Sequence, residues 1–107
     1  MIIPKKVKVG GHTYKVLFPY NFRERVDLDG QVDHNVAEIR VSGSDTNSVK
    51  RTRSMIEQVF FHELLHCIDF AYNGSKLDDD TVERISQGLY AVLKDNGFLK
   101  ENGRDNN

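Results

Sequence analysis

Apolar and polar residues alternate along the first part of the chain and then change period. "KVKV" at 6–9 and "HTYKVLF" at 12–18 place β-branched and aromatic residues at every second position. Gly10-Gly11 between them supplies the positive φ of a tight turn, so the pair predicts a β-hairpin. Pro19 interrupts the second run, and "PYNFRERVDLDG" carries the chain to a further turn signal at Asp29-Gly30. "QVDHNVAEIRVS" then predicts one or two more strands, with "AEIRVS" the cleaner alternation and a candidate for the sheet edge. These strands predict a small, mostly antiparallel sheet.

"SGSDTNS" at 42–48 is a polar loop rich in N-capping residues, and from about Ser48 the apolar period becomes 3.6. Ile56, Phe60, Leu64, Cys67, Ile68 and Ala71 recur at helical spacing. Met55, Val59, Phe61, Leu65 and Phe70 widen the apolar arc until the second half of this helix is expected to be buried nearly all round. "NGSKLDDD" ends it at Asn73-Gly74 and begins another, with an aspartate cap and an acidic first turn. Val82, Ile85, Leu89, Val92 and Leu93 form the expected core stripe of the second helix. Asn96-Gly97 stops it, Phe98-Leu99 is expected to fold back, and "KENGRDNN" reads as a disordered tail. The expected fold class is α+β, a sheet packed on two helices in one domain spanning 1–99.

Composition narrows the class. The chain has 107 residues, room for one modest core, and its mean hydropathy of −0.53 is that of a globular protein. No run is apolar enough to span a bilayer or to serve as a signal peptide, which predicts a cytoplasmic protein. Cys67 is the one cysteine, so neither an internal disulfide nor a cysteine-rich zinc site is open to it. Charge is uneven: ten basic and six acidic residues through Arg53, five basic and ten acidic from Ser54 onward. No basic run with interleaved aromatics accompanies the excess, so nucleic acid is not the expected partner.

The chemistry sits in "FFHELLHCID" at 60–69. On a helix, His62 and His66 stand one above the other, with Cβ atoms about 5–6 Å apart, close enough for both imidazoles to meet one ion. Glu63 is turned about 100° around the axis, out of ligating position and toward a water beside the metal, as a general base requires. Two histidines and a glutamate in an otherwise apolar helix need partners, and a metal satisfies all three.

A third protein ligand is required. Asp69 lies seven residues beyond His62, a rise of roughly 10 Å, too far for an unbroken helix. It reads instead as an acceptor for an imidazole N–H or as a surface carboxylate. Glu83, in the early part of the second helix and bordering its core stripe, faces the histidine turn if the two helices are antiparallel neighbours. Asp78, Asp79 and Asp80 compete for the role but sit at the capping end.

These residues resemble the small HExxH zinc metallopeptidases of phages and prophages, minimal zincins similar to the SprT-like and ImmA/IrrE-like groups. The likeness runs from "AEIRVSG" through "FFHELLHCIDFAYNG" to "VERISQGLYAVLKDNGF". It implies a minimal zincin-like fold, one Zn2+ per chain on His62, His66 and Glu83, Glu63 as catalytic base, and hydrolysis of a peptide or protein substrate with narrow specificity. A phage or prophage protein acting in a bacterial cytoplasm, as a monomer or weak oligomer, is implied as well. A metzincin would carry glycine at Asp69 and histidine at Tyr72, and a thermolysin-type enzyme would carry a second lobe. An oxyanion donor is sought among Tyr90, Tyr72, His34 and Arg84. The rival expectation is a metal-binding regulatory or interaction protein with little turnover, and a third is a nucleic-acid-associated protein, by analogy with SprT-like domains and the basic first half.

Overall fold

The computed structural model describes residues 1–23, 27–44 and 49–99. Four strands, β1 (Lys6–Val9), β2 (His12–Leu17), β3 (Gly30–Asp33) and β4 (Glu38–Val41), precede two helices, α1 (Arg53–Tyr72) and α2 (Asp79–Asp95). This is the expected α+β class. The disordered-tail expectation falls outside the described residues.

β1 and β2 form the predicted antiparallel hairpin over Gly10 and Gly11, whose φ values are 60° and 81°. The sheet order is β1-β2-β4-β3, and β2 and β4 run parallel. The sheet is therefore mixed but still mostly antiparallel, as expected, with two of its three pairings antiparallel, and "AEIRVS" does not form its edge. β4 lies inside because Ile39 and Val41 are both fully buried. Short, polar β3 takes the edge, joined to β4 by a turn in which the Asn35 N–H donates to the Asp33 carboxylate (3.0 Å) and Ala37 has φ 53°.

One face of the sheet carries Val9, Tyr14, Val16, Ile39 and Val41 into a core with Ile56, Phe60, Phe61 and Cys67 of α1. Thr52 caps α1, accepting from the Met55 N–H. The expectation of near-complete burial in the second half of α1 fails: Ile68, Phe70 and Tyr72 are 38%, 49% and 70% exposed. The sheet covers that half of α1 on one side only. The helix end instead meets the hairpin turn, where the Gly10 N–H donates to the Tyr72 hydroxyl (2.9 Å) and a Cβ on Gly10 would lie 2.7 Å from the Ala71 Cβ.

Asp78 caps α2 through the Thr81 N–H (2.7 Å), and this bond holds its carboxyl below the usual range. The stripe expected on α2 holds at Val82 and, partly buried, at Leu93, and is rotated between them. Val82, Ser86 and Tyr90, at i, i+4 and i+8, are buried, while Ile85, Leu89 and Val92 are exposed. Ser86, fully buried and donating to the Glu83 carbonyl (3.0 Å), lets the α2 backbone approach α1 closely along that line. At the other end the Phe98 N–H donates to Leu93 O (2.8 Å) and the Gly97 N–H to Lys94 O (3.1 Å). This six-to-one and five-to-two pair around a left-handed glycine turns the chain back as expected. No helix among the described residues is long and apolar enough to cross a membrane.

Candidate functional site

His62 and His66 project from the middle of α1 with their Nε2 atoms 3.2 Å apart. Two nitrogens bound to one tetrahedral zinc at about 2.0–2.1 Å stand about 3.3 Å apart, so the spacing of the pair suits a shared ion. α2 comes alongside. Glu83 Oε2 lies 3.1 Å from His62 Nδ1, and Asp79 Oδ1 lies 3.8 Å from His66 Nε2. When Nδ1–H donates to Glu83, the proton of His62 is fixed on that side and Nε2 presents its lone pair toward His66. Burial and the neighbouring His62 lower the His66 pKa, which favours the neutral ring. As placed, no three His, Cys, Asp or Glu side chains among the described residues stand in a group that could hold a metal.

Glu63 is 7% exposed. Burial, and then the negative charges of Asp79, Asp29 and Glu83, push its carboxyl up to about 8. What buries it is Gly30, the first residue of the edge strand. A Cβ at position 30 would stand 2.7 Å from Val59 Cγ1 and 2.8 Å from Glu63 Oε2, so only glycine lets β3 rest on this turn of α1. Beside it opens a cleft of about 400 Å3, lined by Leu28, Gly30, Met55, Val59, His62, Glu63 and Glu83 among others. Asp29 and Arg51 on its wall form an ion pair. A larger hollow of about 700 Å3, between Tyr20, Phe22, Arg23, Gln31 and Arg40, includes neither histidine and carries none of this chemistry.

Asp69 is buried, and its carboxylate is taken up by the connection between the helices. It accepts from Asn73 Nδ2 (2.9 Å), Lys76 N (3.1 Å) and Leu77 N (3.3 Å). It is neither on the surface nor bonded to an imidazole; it sets where α2 begins. The Tyr90 hydroxyl donates to Glu57 (2.8 Å), which places it away from the histidines, and burial with this bond raises it to about 12. Tyr72 is engaged by Gly10 and Arg84 pairs with Asp80 on the exposed side of α2. Of the four candidate oxyanion donors only His34 stays near the site. Its ring stacks on Phe70 (centroids 3.9 Å apart), one turn beyond His66, and its Nδ1 is 2.9 Å from the Tyr14 hydroxyl.

Sequence reasoning missed Gly30, which reads as a plain turn glycine, and set Asp79 aside as a capping-end residue. The one available signal for Asp79 is its spacing, four residues before Glu83 and so on the same face of α2. Comparison with known proteins returned no matching family model, no matching curated protein and no matching solved structure.

Proposed function

We propose that the chain is a zinc-dependent peptidase of narrow specificity, in which His62 and His66 hold the metal together with a carboxylate from the start of α2. The observation that carries this reading is the convergence of the two Nε2 atoms at 3.2 Å beside a buried glutamate that borders an open cleft. Bound zinc supplies a water acidified toward neutral pH and a positive charge for the developing oxyanion. With the positive charge of a bound ion beside it to favour the carboxylate over the neighbouring acidic groups, Glu63 would receive the proton of the attacking water and return it to the leaving amine. Gly30 and Val59 keep bulk water from its carboxyl, and Glu83 holds the His62 ring by Nδ1. β3, the edge strand among the described residues, runs beside this glutamate and would offer backbone groups to an extended peptide. The work is done, on this reading, in a bacterial cytoplasm.

Elemental analysis should find about one zinc per chain, lost in His62→Ala and His66→Ala. Glu63→Gln should keep the metal and lower hydrolysis by at least about 10²–10⁴-fold. A second reading, a metal-binding regulatory module with little turnover, is favoured by the openness of the site: the side chains of Asp79 and Glu83 are 96% and 47% exposed, unlike those of a covered cleft. A biological activity that survives Glu63→Gln would decide for that module.

A further inference from the structure

The family resemblance implies Glu83 as the third ligand, yet its carboxylate lies on the wrong nitrogen for that. Nδ1 and Nε2 of an imidazole point away from each other, and it is the Nε2 atoms of His62 and His66 that face one another. A carboxylate 3.1 Å from His62 Nδ1 is where an outer acceptor sits, fixing the tautomer and strengthening the ring as a ligand. The carboxylate on the Nε2 side is Asp79. Its Oδ1 is 3.8 Å from His66 Nε2, about half an ångström more than the roughly 3.3 Å separating two donors on one tetrahedral zinc. Its side chain is 96% exposed, so a small rotation meets no obstacle. Asp79 and Glu83 are one helical turn apart on α2, one carboxylate for each histidine.

We infer that the two carboxylates divide the work: Asp79 is the third protein ligand, and Glu83 is the acceptor that positions His62. This rests on the reading that His62 and His66 bind a metal. The division also explains why a solvent-exposed aspartate stands at the first helical position, directly after its capping neighbour. Asp78 already caps the helix, and Asp80 pairs with Arg84.

Zinc affinity by chelator competition and the visible spectrum of the Co2+-loaded protein test the assignment without recourse to turnover. Co2+ bands report the donor set directly. Asp79→Asn should lower zinc affinity more than about 100-fold and shift or abolish the Co2+ bands. Glu83→Gln should lower affinity about 10–100-fold, the usual effect of losing an outer acceptor, and leave the bands in place. Asp80→Asn removes a comparable first-turn charge and should leave both readouts unchanged, which separates ligation from the helix dipole. The assignment is overturned if Asp79→Asn leaves affinity and spectrum as in the wild type. Failure of the wild-type chain to bind either ion would instead overturn the metal reading itself.

Discussion

Glu63 carries a cost that its neighbours impose. A carboxyl with its ordinary pKa near 4.5 in the unfolded chain and about 8 in the fold is protonated in both states at low pH. As pH rises through this window the unfolded chain ionises first, so folding is progressively opposed, and above about 8 the penalty is complete. At 1.36 kcal/mol per pKa unit this amounts to on the order of 3–5 kcal/mol. In chelator, the wild type should therefore melt lower at pH 9 than at pH 5, and Glu63→Gln should melt above it at pH 8–9. Equal melting temperatures at every pH would refute the assignment of burial as the cause. Gly30→Ala acts on the same carboxyl from the strand side. Its Cβ would press on Val59 and Glu63, costing about 1–3 kcal/mol by overpacking and reducing turnover with the zinc content unchanged. Cys67, buried beside this turn and raised to about 12, should resist alkylation until the chain is unfolded. His62, Glu63 and His66 were legible because a helix turns their spacing into proximity. Gly30 was not, because the residues it meets, Val59 and Glu63, are about thirty positions away and glycine leaves no mark of what it avoids.

Between elements, the decisive contact is the loop that Asp69 organises. Three donors to one buried carboxylate fix the path from α1 to α2, and with it the reach of Asp79 and Glu83 toward the histidines. Asp69→Ala should lower stability by about 2–3 kcal/mol, since it removes the charged acceptor shared by three donors of the loop, and should weaken zinc binding in parallel. Denaturant titration and chelator competition on one preparation would check both; a stability loss without a change in affinity would uncouple the loop from the site. The helices themselves were readable from period and caps, down to the fold-back at Phe98. The face α2 presents was not. Two lines on that helix run at equally good spacing, Val82-Ser86-Tyr90 and Ile85-Leu89-Val92, and apolarity alone selects the second. Packing selected the first, because a serine allows close approach and the Tyr90 hydroxyl finds an acceptor in Glu57.

Over the whole molecule, Glu57 joins parts that are distant in sequence. It accepts from Tyr90 of α2, and its other oxygen lies 3.0 Å from the Met1 amino group and 3.5 Å from Arg53. Tyr90→Phe should cost about 1–2 kcal/mol by removing a buried bond to a charged acceptor. The α+β class was legible because the apolar period changes from two to 3.6 near Ser48. Strand order was not, because the parallel pairing of β2 with β4 is a non-local choice that alternation within each strand does not encode. The proposed metal ligands and the carboxylate that positions them come from positions 62 to 83, a pair of adjacent helices closed by their own loop. The surroundings of the base come from the sheet. Loosening the edge strand would flood Glu63 with water while the imidazole pair kept its place. On the reading proposed above, a gently warmed or partly denatured molecule would then keep its ion and stop working, and the grip would outlast the chemistry.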